Sequence, residues 1–347
     1  MITPRRILRR SEPWVLAAIL VLGVIVQARS GQFLTGNNLV DLARAIIVPG
    51  LFSIGCMMVI VSGGIDVSFT AIASLAMYVT DKTLLASNYS GNVLLAYSMS
   101  AGLGLLMGAL NGLLIGFLRL PTLVVTLGTA SLFTGVMYGV FSASASDVPP
   151  SIAAHGKEIL FTAVNPQSGL SSNMPSQILI LLGILLLVFL LLRYTMLGRG
   201  IYAIGGDEAA AERAGFNVPF IKLFLYSFVG LLAGITGILR ISMIAYADPS
   251  TMLGMELTVI AAVVLGGTRV TGGVGTLTGS ILGVALMTIL ANSLILMGIP
   301  TYWTRAFTGI VIIVGTGVTA RQIGARQRGG RKKGAARRID RSTAAKA

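Results

Sequence analysis

Long apolar runs broken by short polar turns set the pattern of this chain from near its start to about residue 320. A bilayer core about 30 Å thick is crossed by about 20 apolar helical residues. On that rule the runs predict ten spans, the first seven at about 14–28, 45–61, 67–85, 93–118, 122–142, 177–194 and 220–244. An eighth opens at Glu256 and reaches Gly266-Gly267, a ninth ends near 297, and a tenth covers about 304–320. The predicted class is an all-α polytopic membrane protein.

Glycines and a few polar residues interrupt the apolar pattern where packing or function requires it. Gly104, Gly108, Gly112 and Gly116 recur every fourth residue on one face of the fourth span, and Gly275, Gly279 and Gly283 repeat the device around the ninth. Small residues at that spacing let membrane helices approach backbone to backbone. Between the second and third spans, Ser62-Gly63-Gly64-Ile65-Asp66-Val67-Ser68 breaks the helical pattern. A carboxylate at membrane depth must be capped, paired or turned toward a cavity, so Asp66 either caps the third helix or meets a transported molecule. Asn111, Thr126, Arg240 and Glu256 are the other polar groups in or beside spans that could line a pathway, or else cap helices and bridge them.

Two polar connections stand out. Residues 143–176 form the longer one, with nearly balanced charge, and residues 195–219 the more charged one. Within the second, Gly205-Gly206-Asp207 leads into Glu208-Ala209-Ala210-Ala211-Glu212-Arg213-Ala214-Gly215. Asp207 is a suitable N-cap, Glu208 and Arg213 sit at the ends that the helix dipole favours, and Gly215 supplies a left-handed stop. A helix of about two turns is far below the ~12–15 residues at which isolated helices become marginal in water, so another surface must hold it.

Charge orients this arrangement. Of 347 residues, 54% are hydrophobic and 11% charged, against roughly 25% charged in soluble domains. The net charge of +14 lies almost wholly at the ends: residues 1–12 contribute +3 and residues 321–347 contribute +9. Ten spans with the N-terminus inside place both basic tails and Arg119, Arg193, Arg199, Arg213, Lys222 and Arg269 on the cytosolic side. That asymmetry follows the positive-inside rule and places both termini on the cytosolic side of the membrane. It divides the chain into a basic N-terminus (1–13), a membrane body (14–320) with a cytosolic loop at 195–219, and a basic tail (321–347) whose composition predicts disorder. The tails suit anionic lipid; without interleaved aromatics or a reader module they do not predict nucleic-acid binding.

Several chemistries are set aside by what is present. Cys56 is the single cysteine, so no intrachain disulfide or cysteine metal cluster can form. A Ser151, His155 and Asp147 hydrolase set lacks any nucleophile-elbow pattern. No GxxxxGK[ST] phosphate loop occurs, so ATP hydrolysis would belong to another protein.

Four segments in order resemble the permease subunit of the ribose/xylose/autoinducer-2 class of bacterial ABC importers over about residues 14–320. They are Gly63-Gly64-Ile65-Asp66-Val67-Ser68; Asn111-Gly112 through Pro121 to Thr126-Leu127-Gly128-Thr129; Tyr202-Ala203-Ile204-Gly205-Gly206 through Ala214-Gly215; and Glu256-Leu257 with Gly266-Gly267-Thr268 and Gly272-Gly273-Val274-Gly275. Phe69-Thr70 stands where the family usually has Val-Gly, and Arg269 where a small residue is common. The resemblance implies a type II importer-like pore of about ten helices; the glycine ladders of spans four and nine, each followed by a Pro-Thr turn (Pro121-Thr122 and Pro300-Thr301), fit two inverted five-helix halves. It implies a second copy or sister permease, cytosolic ATPases, and a periplasmic or lipid-anchored sugar-binding protein. No cofactor is implied beyond ATP bound by the partner. Gly205, Gly206, Asp207, Glu208, Ala210, Arg213, Ala214 and Gly215 would form the coupling element that docks on the ATPase. Alternatives are a permease for branched-chain amino acids or nucleosides, or an ion-coupled secondary transporter that would rely on Asp66 and Glu256.

Overall fold

A computed structural model of the chain describes residues 12–300 except 167, together with 303, 306, 309, 310 and 313. Most of the tenth span and both basic tails lie outside the described residues. Within them, each of the first nine apolar runs is helical. The helices are α1 (Glu12–Ser30), α2 (Gly36–Val61), α3 (Phe69–Ala86), α4 (Val93–Gly116), α5 (Thr122–Gly139), α6 (Pro150–Gly156), α7 (Ile178–Tyr194), α8 (Met196–Gly206), α9 (Glu208–Arg213), α10 (Val218–Ile244), α11 (Met255–Leu265) and α12 (Leu277–Leu296). Six of them, α1, α2, α4, α5, α10 and α12, are long and apolar enough to cross a membrane, and α7 with α8 passes as a seventh pair bent by 73°.

One boundary differs from the sequence expectation. The second span begins at Gly36 rather than near 45, because its polar first turns are covered. Asn38 donates to the Phe33 carbonyl at 2.8 Å, and Ser172 donates to the Asp41 carboxylate at 2.9 Å. The eighth run keeps its expected extent as α11, whose 11 residues are too few to cross alone, and the chain before it, from Ala245 to Gly254, is not helical.

The glycine ladder of α4 lies against α10. A Cβ on Gly104 would overlap the Gly230 carbonyl, one on Gly108 the Tyr226 carbonyl, and one on Gly116 would lie 2.7 Å from the Pro219 carbonyl. A Cβ on Gly112 would lie 2.8 Å from the Leu223 Cα. Gly230 and Gly234 return the contact from α10, so the two backbones touch along the whole crossing. The second glycine set is divided: Gly279 and Gly283 of α12 meet Gly266 and Ala262 at the end of α11, while Gly275 sits in the preceding turn against Val61 and Thr268.

At one end of the bundle the 143–176 connection is structured. Strand β1 (Ser146–Asp147) pairs antiparallel with β4 (Tyr246–Ala247), and β2 (Ile159–Val164) pairs with β3 (Ser171–Pro175). The hairpin rests on α2, and α6 packs on α10 and α4. His155 faces Glu158, Nδ1 to Oε2 at 3.1 Å, and Gln177 donates to the His155 carbonyl. The fold uses this histidine to tie down its connection, not in a hydrolase set.

Candidate functional site

The break after α2 is held open by its own side chains. Gly63 turns the chain at φ +86°, and Gly64 passes so close to Tyr226 that a Cβ there would lie 2.6 Å from the phenol oxygen. Ile65 then receives α5 on both sides: its N–H donates to the Thr122 hydroxyl and its carbonyl accepts from Thr126, both at 3.2 Å. Asp66 accepts two hydrogen bonds at 2.7 Å, from the Ser68 N–H and the Ser68 hydroxyl, and Asn111 of α4 donates to that hydroxyl at 2.8 Å. A chain of donors thus runs from Asn111 through Ser68 to a buried carboxylate, each bond polarising the next. Asp66 makes no bond to the first turn of α3; it folds back Ser68, two residues after it and immediately before that helix.

Four residues further along, Thr70 in the first turn of α3 donates to Glu256 at 2.8 Å, and the same carboxylate oxygen accepts the Gly254 N–H at 3.0 Å. The predicted pair Asp66 and Glu256 therefore stand at successive levels of one helix start, and neither touches the other's partners.

The expected coupling segment is helical almost throughout, where the sequence suggested a loop. Thr195 caps α8 through the Gly198 N–H, and Asp207 caps α9 through the Ala210 N–H at 2.9 Å. Gly215 has φ +89°, the predicted left-handed stop. Glu208 pairs with Lys222 at 2.7 Å and Arg119 with Glu212 at 3.1 Å, so α9 is tied to α10 on one side and to the α4–α5 turn on the other. Just before it, the backbone of Gly205 lies against Val61, and a Cβ there would overlap the Val61 carbonyl. That carbonyl accepts the Gly273 N–H at 2.8 Å. Gly272, at φ +84°, would place a Cβ 2.6 Å from the Gly205 carbonyl and 2.9 Å from Gly63. Tyr202 donates to the Gly275 carbonyl at 2.9 Å. Three glycine turns, after α2, at the end of α8 and after α11, form one backbone junction.

Residues 38–315 match the family described as branched-chain amino acid transport system / permease component. The chain belongs to this permease family. It is 32% identical over 299 residues to the ribose import permease protein RbsC of Escherichia coli K12, covering 86% of this chain and 90% of the relative. The RbsC protein of Bacillus subtilis is 32% identical over 311 residues, covering 85% and 88%. The autoinducer 2 import system permease protein LsrC of Yersinia enterocolitica is 32% identical over 300 residues, covering 86% and 78%. No solved structure matches.

In this permease, Asp66, Asn111 and Thr126 come together at one break, Glu256 stands one level deeper, and Arg240 does not join them. Arg240 lies toward the far end of α10, one turn before Met243, whose carbonyl accepts from Arg44 at 3.2 Å. Sequence reasoning named Ser68 within the break but not as the hinge of the donor chain, and it missed Thr122 and Tyr226, which meet the break from α5 and α10. It also missed a twin. After α10, Asp248 accepts from the Ser250 N–H at 2.8 Å and the Ser250 hydroxyl at 2.7 Å. That repeats the Asp66–Ser68 geometry after α2. The shared Asp-x-Ser spacing following the two longest helices was the signal that could have found it.

Proposed function

We propose that this permease is the membrane-spanning subunit of an ABC importer that carries a ribose-like sugar or sugar-like solute, driven by a separate cytosolic ATPase. It is a transport subunit, not an enzyme, and needs no cofactor of its own. The observation that carries the reading is the junction of Gly205, Val61 and Gly273. It fixes the end of α8, one residue before α9 is capped, to the backbone that leads directly into the Asp66 break. A displacement of α9 by an ATPase would therefore move the break with it.

On this reading Gly205 to Gly215 is the coupling element, with Asp207, Glu208, Ala210, Arg213 and Ala214 presented to the ATPase. Asp66, Asn111 and Thr126, with Glu256 above them, form the inner end of the pathway, and Arg240 belongs to the outer end. The body at 14–320 has ten spans with cytosolic termini, and tails 1–13 and 321–347 meet anionic lipid. A second permease, identical or sister, completes the pore, and a periplasmic or lipid-anchored binding protein delivers the solute.

Two observations support inverted halves. The Asp66–Ser68 motif recurs as Asp248–Ser250, following α2 and α10 respectively. Helix pairing repeats as well: α4 packs on α3 and α10, and α12 packs on α11 and α2. Helices α3, α4 and α10 (spans three, four and seven) thus correspond to α11, α12 and α2 (spans eight, nine and two), the exchange an inverted five-plus-five repeat requires.

Reconstitution in proteoliposomes with the co-encoded ATPase and binding protein tests the function. ATP-dependent uptake of labelled D-ribose or autoinducer-2 is the expected result. Uptake of a branched-chain amino acid instead would replace the substrate. Uptake that proceeds without ATP and collapses with an ionophore would replace the class.

A further inference from the structure

Helix α3 is the least apolar of the long helices, with Asp81 and Lys82 in its sequence, yet 13 of its 18 residues are buried within the subunit. It packs against α4, α5 and α10. Thr70, Ser74 and Asp81 lie at i, i+4 and i+11, which places them within about 40° of one another around the helix axis, with Tyr78 beside them. They form a polar line, interrupted by the buried Met77 at i+7, along a helix whose other faces carry Ile72, Ala73, Leu75 and Ala76.

The two ends of that line are closed differently. At the inner end Thr70 donates to Glu256 at 2.8 Å, a well-formed bond. At the outer end the 143–147 segment covers the helix through two long contacts. The Ser144 N–H donates to the Tyr78 hydroxyl at 3.4 Å, and Ser146 donates to the Asp81 carboxylate at 3.3 Å. Strand β1 of that segment is itself fastened to β4, just before the Asp248–Ser250 motif. Between the ends, the Ser74 hydroxyl and one Asp81 oxygen are fully buried with no hydrogen-bond partner, as is the Thr80 hydroxyl at the edge of the line. An orphaned buried hydroxyl or carboxylate is costly, and two orphans on one face that also carries an aromatic ring require a common explanation.

We propose that the Thr70–Ser74–Asp81 face of α3 is the wall of the solute pathway, with Ser74 and Asp81 accepting and donating to the hydroxyls of a neutral polyol. Tyr78 offers a ring face to its C–H edge, and Ser144 and Ser146 form an outer gate over it. A polyol matches this set because it brings several donors and no charge to Ser74 and Asp81, whereas an apolar side chain would leave both unsatisfied. The outer gate, built from two long bonds on a short loop, is the closure that opens first; the inner one needs the movement of α11 relative to α3.

The inference rests on the importer reading, and the two are tested separately. In the full transporter, with Cys56 replaced by Ala to remove the single native thiol, Ser74→Cys and Ala76→Cys are exposed to a small charged methanethiosulfonate reagent with and without ATP. Ala76 is equally buried but on the far side of α3. Ser74→Cys is expected to react at least tenfold faster than Ala76→Cys in at least one nucleotide state, and to lose uptake on reaction. Equal or slower reaction of Ser74→Cys in every state overturns the pathway assignment. Asp81→Asn guards against a merely structural effect: it should raise the KM for solute several-fold while ATPase stimulation by the binding protein remains. An unchanged KM with Asp81→Asn also counts against the assignment. If the unmodified transporter takes up solute with ATP while Ser74→Cys stays unreactive, only the pathway is wrong. If Ser74→Cys reacts but no ATP-dependent uptake occurs, the importer reading fails and the aqueous face stands.

Discussion

The amide of Gly273 donates to the carbonyl of Val61 at 2.8 Å, joining two turns that are more than 200 residues apart in the chain. Gly205 packs on the same carbonyl from a third direction. No side chain intervenes, so the junction is stiff and sensitive to a single methyl group. Overpacking typically costs about 1–3 kcal/mol. Gly205→Ala is expected to lower the thermal unfolding temperature in detergent and to reduce uptake by tenfold or more. Gly206→Ala, whose Cβ would meet nothing within 4 Å, should keep the wild-type unfolding temperature. Equal effects of the two substitutions would remove the junction from the mechanism.

Asp207 is the N-cap of α9, and replacing such a cap with Ala costs ~0.5–2 kcal/mol. In a helix of six residues that is enough to fray it. Asp207→Ala should leave the unfolding temperature of the membrane body within a few degrees of wild type and lower both ATPase retention on an affinity column and uptake. Retention and uptake at wild-type levels would argue that α9 is only a surface helix.

Gly108 meets the Tyr226 carbonyl and Gly230, whereas Gly128 and Gly135 of α5 have nothing within 4 Å inside the subunit. Gly108→Ala is therefore expected to destabilise by about 1–3 kcal/mol, read as a lower yield of monodisperse protein and a lower melting temperature. Gly128→Ala should leave the isolated subunit unchanged. A neutral Gly108→Ala would mean that α4 and α10 can separate freely.

Glu256 accepts from Thr70 and from the Gly254 N–H through one oxygen. Glu256→Gln keeps an acceptor in place and should retain most uptake. Glu256→Ala leaves the Thr70 hydroxyl unpaired and should lose uptake by about tenfold, consistent with roughly 1–3 kcal/mol for an orphaned buried group. A Gln variant as defective as the Ala variant would show that charge, and hence ion coupling, matters more than the hydrogen bond.

Asn111 reaches Asp66 only through Ser68. Ser68→Ala should therefore mimic Asn111→Ala, and the double variant should be no worse than either single one, as expected of groups acting in one network. Additive losses, measured as melting temperature and uptake, would place the two residues in separate roles.

The spans were legible in the sequence because a run of apolar residues has few other uses, and the capped helix at Asp207 was legible because Asp, Glu, Arg and Gly mark helix ends by local chemistry. The glycine ladder announced a close neighbour but could not name it, since α10 is more than 100 residues away and marks the contact only with Gly230 and Gly234. The three-turn junction was hidden for the same reason in stronger form: backbone meeting backbone leaves no side-chain signature beyond glycine. Ser74 was passed over because serine in a membrane helix usually bonds its own backbone, as Ser53 does with Gly50. Only the packing reveals that Ser74 does not. The hairpin at 159–175 was missed because its strands read as parts of a polar connection.

Helix α11 has a consequence for how the protein is made. At about 1.5 Å per residue its 11 residues extend about 16 Å, roughly half the hydrocarbon thickness. The irregular chain at 245–254 leading into it can exist at membrane depth only when surrounded by protein. This segment therefore cannot partition into lipid as a unit during synthesis. Its insertion is expected to depend on α12. Gly279 and Gly283 then draw α11 inward by admitting its carboxyl end. Biogenesis of the second half is in this sense C-terminal to N-terminal, and arresting translation before α12 emerges should leave residues 245–265 open to protease.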